Sequence, residues 1–322
     1  MDLQDIEDAR ESLRGLVKQT PLIRSGFLSD LCRGKVYLKL ENQQMTHSFK
    51  VRGALNRMLH LSAEEKRRGI VTASAGNHAQ AVAIGAEMLK AKAVIVVPKS
   101  TPKVKIDGIK KREVQLILHG DIYDEAEQKA LDLAKREGMA YISPYNDRFI
   151  IAGQGTIGLE ILDELPKVDT IVVPVGGGGL ISGVSIAAKT TKPSVQVIGV
   201  QSEASPVMYE SLKAGRIVNI ELKESIADGL FGGIEQGSMT FRIVQEWVDN
   251  VFLVKEETIK KAICLLWKKE RQTVEGAGAT GAALLMERPQ PFKGKEVVLV
   301  ITGGNIDEEL LQQLQASRDW AY

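Results

Sequence analysis

Short apolar runs and helical stretches alternate along most of this chain, and that rhythm narrows the fold more than any other feature. From residue 69 the order is strand, turn, helix: residues 70–73 read as a strand, 74–78 as a turn and 79–89 as an alanine-rich helix. The run Ala93-Val94-Ile95-Val96-Val97 is apolar throughout and ends at Pro98, the pattern of a strand covered on both faces. A helix over 102–109, a strand over 114–118, a helix over 123–137 and a strand over 141–143 follow. The alternation resumes with a helix at 155–165, then strands at 170–175 and 195–201 separated by a helix at 180–189. Helices at 256–272 and 277–287, a strand at 296–301 and a short last helix complete it. Ahead of residue 69 the spacing predicts a helix over 5–17, a strand over 36–40 and a helix over 51–60. Repeated βα units form parallel sheets wrapped by helices, so the expected class is α/β. Residues 205–237 are irregular and glycine-rich and read as a loop over a site.

With 322 residues, 44% of them hydrophobic and 26% charged, the chain has room for about two domains and a core that needs no covalent staples. A net charge of +1 offers no general attraction to nucleic acid or an anionic membrane. The basic stretch Lys99, Lys103, Lys105, Lys110, Lys111 and Arg112 lacks the interleaved aromatics on which bases stack, and reads as a solvated face. No apolar run approaches the roughly 18 residues of a membrane span, and the acidic N-terminus has no signal-peptide core. Cys32 and Cys264 stand alone, which supports neither a disulfide framework nor a zinc knuckle and fits a cytoplasmic location. His47, His60, His78 and His119 are too scattered for a metal motif, and no metal site is expected.

Three glycine clusters compete as phosphate or dinucleotide sites. Gly176-Gly177-Gly178-Gly179 follows a strand and opens a helix, where backbone N–H groups free of Cβ crowding can wrap a phosphate. Four glycines in a row arise by chance in roughly two of a hundred chains of this glycine content, and a tight turn needs only one or two. Gly153-x-Gly155-x-x-Gly158 follows Arg148-Phe149-Ile150-Ile151-Ala152, a run that passes for a strand. No acidic residue follows about 20 positions on to hold a ribose. Gly276-x-Gly278-x-x-Gly281 follows a helix, so NAD is rejected for both.

Lys50 lies in Ser48-Phe49-Lys50-Val51-Arg52-Gly53-Ala54, behind the polar lead-in Glu41-Asn42-Gln43-Gln44 and at the mouth of a helix. Burial would lower its pKa and leave the free amine that attacks carbonyls. On this stretch alone, Lys50 and Arg52 read better as ordinary surface charges at a helix start.

Taken together, this stretch, Ser74-Ala75-Gly76-Asn77-His78-Ala79-Gln80, the four glycines and Thr302-Gly303-Gly304-Asn305 resemble the pyridoxal-phosphate enzymes of the tryptophan-synthase β fold (fold type II). Within them the chain is most similar to the threonine/serine dehydratase (ammonia-lyase) and serine racemase group, over residues 20–307. The resemblance implies two open twisted sheets wrapped by helices with pyridoxal 5'-phosphate in the cleft between domains. It places the large domain at residues 1–68 and 146–322 and a small inserted domain at 69–145. It makes Lys50 the Schiff-base lysine and the base for the Cα proton, and puts Phe49 beside the pyridine ring. Gly176, Gly177, Gly178 and Gly179 would cradle the phosphate, Asn77 would meet the phenolic oxygen, and Thr302 the pyridine nitrogen. Ser74, Ala75, Asn77 and His78 would grip the substrate carboxylate. The implied reaction is α,β-elimination of L-threonine or L-serine to 2-oxobutanoate or pyruvate plus ammonia, in a homodimer or homotetramer. The alternative is a serine racemase or a lyase for another 3-substituted amino acid.

Four departures from the family pattern refine this. His47 replaces the glycine usual before Ser-Phe-Lys and is expected to bear on substrate preference. Ala75 stands where racemases carry a serine base, so racemisation is expected to be minor. Tyr209 occupies a position where a divalent-cation site, otherwise matched by Glu203, needs a carboxylate. The sequence runs only twenty residues past Thr302, and a C-terminal regulatory domain is not expected.

Overall fold

A computed structural model of the chain describes residues 1–317, the side chain of Val104 excepted; residues 318–322 of the expected large domain lie outside the described residues. The chain opens with helix α1 (Leu3–Leu13), strand β1 (Leu22–Ser25), helix α2 (Gly26–Cys32) and strand β2 (Lys35–Lys39). Helices α3 (Lys50–Leu59) and α4 (Ala63–Arg68) lead into β3 (Ile70–Ala73), α5 (Asn77–Leu89) and β4 (Ala93–Val97). Next come α6 (Lys103–Lys110), β5 (Gln115–Leu118), α7 (Tyr123–Glu137) and β6 (Ala140–Tyr141). Then follow α8 (Arg148–Glu164), β7 (Thr170–Pro174), α9 (Gly179–Thr191), β8 (Gln196–Ser202), α10 (Val207–Ala214), α11 (Met239–Trp247) and β9 (Asn250–Val254). The helices α12 (Glu256–Glu270) and α13 (Gly276–Glu287), strand β10 (Glu296–Val300) and helix α14 (Glu308–Ala316) finish it.

The strands form two sheets, as the βα rhythm requires. The larger has the order β1-β2-β10-β7-β8-β9 and the smaller β5-β4-β3-β6. All pairings are parallel except that of edge strand β1 with β2. Parallel strands covered on both faces must be apolar on both, and β10 shows it. Val297 and Leu299 face the core under α2, α12 and α13, while Val298 and Val300 face that under α8, α9 and α11. In the smaller sheet Val71, Ala73, Val94 and Val96 pack on α7; Ile95 and Val97 pack on α5 and α6. Helix α3 lies against both α5 and α8, so it spans the junction between the sheets. No helix among the described residues is long and apolar enough to cross a membrane.

Three sequence expectations need correction. Residues 148–152 are not a strand: the Asp147 carboxylate accepts from the N–H groups of Phe149 and Ile150 and starts α8 there. Residues 205–237 are not all loop, since α10 occupies their start. Helix α1 begins earlier than expected, at a capping box between Asp2 and Asp5, and ends before Gly15, whose φ is +75°. The strands β1 and β9 and the helices α2 and α11 carry too few residues to show a clear period.

The glycines that imitate a dinucleotide fingerprint are a helix-packing stripe. A β-carbon on Gly153 would stand 2.6 Å from the Arg52 carbonyl oxygen, one on Gly155 2.9 Å from that of Gly183, and one on Gly183 2.2 Å from that of Ile151. Helices α3, α8 and α9 thus meet backbone to backbone. Gly183→Ala would push a methyl into a carbonyl with no room to retreat, and is expected to cost about 1–3 kcal/mol despite alanine's helix propensity. Gly108→Ala in α6, with open space at its β-carbon position, is expected to gain about 0.5–1 kcal/mol. Denaturant midpoints of the two variants, moving in opposite directions, check this.

Candidate active site

The residues singled out in the sequence come together where ligands bind in open α/β sheets, beyond the carboxyl ends of strands. Ser74, Ala75, Asn77 and His78 follow β3, the four glycines follow β7, and Thr302 follows β10. The loop after β2 carries Phe49 and delivers Lys50 as the first residue of α3. That loop is stitched to the one after β10. Ser48 pairs with Gly303 in an isolated bridge, Phe49 N–H donates to the Thr302 carbonyl at 3.1 Å, and Gly304 N–H to that of His47 at 2.9 Å. His47 itself has φ of +54°, in the left-handed region that favours glycine, and its side chain is exposed rather than turned onto the lysine.

Lys50 Nζ donates to the Pro144 carbonyl oxygen at 2.9 Å and lies 5.2 Å from the centroid of the Phe49 ring. The residue is open on one side, yet its amine is enclosed enough that burial brings the pKa down to about 8; the Glu275 carboxylate pulls the other way. Phe49 is half-buried against the core of the larger sheet. The Thr302 hydroxyl is buried without a partner, an orphan polar atom that a ligand nitrogen or oxygen would satisfy.

Each of two glycines in the run has a separate reason to lack a side chain. Gly178, the N-cap of α9, takes φ of +90°, and a β-carbon on Gly177 would lie 2.5 Å from the Tyr145 ring. No side chain caps α9, so its first-turn N–H groups point outward, with the positive end of the helix dipole behind them. The Thr240 hydroxyl donates to the Gly177 carbonyl at 2.6 Å and fixes the turn from behind. Such a turn could hold a dianionic phosphate.

On the opposite side no side chain caps α5, whose first residues are Asn77 and His78. The Ser74 N–H is already committed to the Val96 carbonyl, and the Ser74 hydroxyl accepts from Gly76 N–H at 3.2 Å. The His78 ring turns inward and bonds the Ile142 carbonyl at 2.9 Å, which makes Nε2 the protonated nitrogen. Burial, with the nearby Lys50 charge, depresses its pKa to about 3, so the ring stays neutral. Asn77 Nδ2 donates to Glu275 Oε1 at 2.7 Å. Glu275 faces this site and was missed in the sequence: it lies 225 positions from Lys50, directly before a glycine match weighed only as a dinucleotide fingerprint.

Beneath Lys50 is a buried ionic cluster, also unforeseen. Arg52 is 1% exposed and Glu41 fully buried, although the sequence presents both as members of polar stretches. The guanidinium binds Glu41 through Nε and Nη2 at 2.9 and 2.8 Å. It binds Glu160 through Nη1 and Nη2 at 2.6 and 3.0 Å. Thr156 Oγ1 and the Lys18 carbonyl take further N–H groups, so every donor is used. The buried Lys39 ammonium bridges Glu160 and Glu164 alongside.

Comparison with known proteins agrees with this geometry. A family model described as pyridoxal-phosphate dependent enzyme matches residues 13–303. An L-threonine ammonia-lyase of Thermotoga maritima is 47% identical over 312 residues, covering 97% of this chain and 77% of the relative. The catabolic L-threonine dehydratase TdcB of Escherichia coli is 40% identical, with 97% and 95% covered. Among solved structures, maize serine racemase superposes with a TM-score of 0.92 at 32% identity, covering 97% of this chain and 96% of that one.

Arg52→Met removes the cation and strands the Glu41 carboxylate in the interior. It is expected to cost about 3–5 kcal/mol in denaturant unfolding, with partial recovery when Glu41→Gln is added.

Proposed function

The chain belongs to the pyridoxal-phosphate-dependent enzymes, and from that premise we propose that it is an ammonia-lyase acting on L-threonine, L-serine or both by α,β-elimination. The β-hydroxyl leaves as water, and the released enamine takes up one water as it gives off ammonia, so threonine yields 2-oxobutanoate and serine pyruvate with no net change in water. The observation that carries the reading is the enclosed Lys50 amine, bonded to the Pro144 carbonyl beside the Phe49 ring, with its pKa at about 8.

The residues present fit pyridoxal 5'-phosphate. Gly176, Gly177, Gly178 and Gly179 with the N-terminus of α9 would hold the phosphate, Thr302 the pyridine nitrogen and Asn77 the phenolic oxygen, with Lys50 and Phe49 at the reactive face. When bound, the cofactor supplies an aldehyde for amines and a sink for negative charge at Cα. The chain supplies the rest. Lys50 Nζ takes the Cα proton, a transfer suited to an amine whose conjugate acid lies near the working pH. N–H groups of Ala75, Asn77 and His78 at the start of α5 orient the substrate carboxylate, with the Ser74 hydroxyl beside them. Thr302 offers a neutral hydroxyl, which does not hold a proton on the pyridine nitrogen as a carboxylate would, and this favours prompt loss of the β-hydroxyl. The domain division at residues 1–68 and 146–322 against 69–145 belongs to the same reading, with the cleft between the sheets as the substrate's place.

Racemisation is the second reading, favoured by the likeness to maize serine racemase. Against it stands Ala75, whose methyl group can neither give nor take a proton on the far face of Cα.

Lys50→Ala is expected to abolish the near-visible absorbance of the cofactor-loaded protein and all turnover; retained turnover refutes the assignment. A panel of 3-hydroxy amino acids assayed for 2-oxo acid release is expected to rank threonine and serine first. Chiral analysis of serine after incubation is expected to show little D-serine, and dominant D-serine would favour the racemase.

A further inference from the structure

The buried Glu275 carboxyl has no part in the reaction outlined above, yet it faces the middle of the site. It is the residue before α13, and its N–H donates to the Gly303 carbonyl at 3.1 Å, one residue from Thr302. The side chain doubles back against the same glycine: a β-carbon on Gly303 would lie 2.4 Å from Glu275 Oε1.

Its bond to Asn77 is part of a relay. Asn305 Nδ2 donates to Asn77 Oδ1 at 2.7 Å and to the Thr46 carbonyl at 2.9 Å, while Asn77 Nδ2 donates to Glu275 Oε1 at 2.7 Å. Turning the Asn77 amide over would set its oxygen against a carboxylate and its NH2 against another NH2. The relay therefore fixes which end of Asn77 is which, and leaves one Nδ2–H for a ligand oxygen. Gly303, against which the carboxyl packs, pairs with Ser48 two residues before Lys50, so the carboxyl lies beside the lysine's loop, and its charge favours the ammonium form of that lysine. Burial opposes ionisation of Glu275 most strongly and the Asp228 charge adds to it; Asn77, the Asn305 backbone and Lys105 assist it. Asp228 and Lys105 pair with each other at 3.0 Å across the mouth of the cleft. His78, next to Asn77, is held neutral and adds no charge. With these influences the carboxyl's pKa sits at about 7, close to that of the amine.

We propose that Glu275 is a positioning residue of this site, orienting the Asn77 amide by its hydrogen bond and setting the charge on the Lys50 amine through the field of its carboxyl. The role rests on the lyase reading only for what Asn77 and Lys50 do with a cofactor. Control of the amine is a property of the chain itself.

The test uses the full-length chain freed of cofactor, with acetic anhydride as the probe and Lys50 acetylation followed against pH by peptide mass spectrometry. Glu275→Gln keeps the shape and the acceptor for Asn77 but removes the charge. The labelling midpoint of Lys50 is expected to fall, making labelling at pH 7 about fivefold faster for a one-unit fall from 8. Coincident midpoints in a folded variant would overturn the proposal. Asp228→Asn, at an exposed position, guards against a variant that fails to fold. It removes a charge that discourages ionisation of Glu275, so Lys50 should hold its proton more tightly and label more slowly at pH 7. Loss of a direct Asp228 effect on Lys50 would speed labelling instead, so an unchanged or faster rate also overturns the proposal. Addition of pyridoxal 5'-phosphate to the wild-type chain separates the two claims. No uptake would refute the lyase reading, while the labelling would still decide whether Glu275 governs the amine.

Discussion

The buried guanidinium of Arg52 is the contact on which the proposed site leans. It sits two residues beyond Lys50 in the first turn of α3 and is gripped by carboxylates from the loop after β2 and from α8. A charge so enclosed is tolerable only with every donor matched, and that demand fixes the rotation and height of α3 relative to the larger sheet. Lys50 inherits its position from that fit. Burial works against the guanidinium's charge, but the field of Glu41 and Glu160 more than offsets it, so the group stays protonated.

Around that anchor the parallel sheets gather the remaining groups. A parallel strand runs out at the same edge as its neighbours, so loops distant in sequence emerge side by side. Residues after β2, β3, β7 and β10 accordingly surround one cleft. The pairing of Ser48 with Gly303 closes the arrangement, joining the loop that carries the amine to the loop that carries the orphan hydroxyl of Thr302.

Some of this was legible in the sequence and some was not, for physical reasons. The four glycines and the lysine stretch announce themselves because backbone approach and amine chemistry restrict the residues locally. The apolar strands β4, β7 and β10 are equally plain because burial on both faces leaves no room for polar residues. Arg52 and Glu41 read as surface charges because burial of an ion pair depends on partners such as Glu160, more than a hundred positions away. Glu275 is hidden for the same reason. The stripe Gly153, Gly155 and Gly158 misleads in the opposite direction. Close helix contact and phosphate binding both call for glycine, and the cap at Asp147, with the missing ribose acid, tells them apart.

The place of β10 in the larger sheet, between β2 and β7, has a consequence for biosynthesis. Strand β2 ends at Lys39, but its central neighbour β10 starts only at Glu296. A nascent chain emerging from the ribosome therefore holds β2 and β7 without the element that joins them until well over a hundred residues beyond β7 have been made. Closing so long a loop is a slow, entropically costly step. The larger sheet, and with it the cleft beyond its strand ends, is therefore completed after the smaller sheet, whose pairings all lie within residues 70–141.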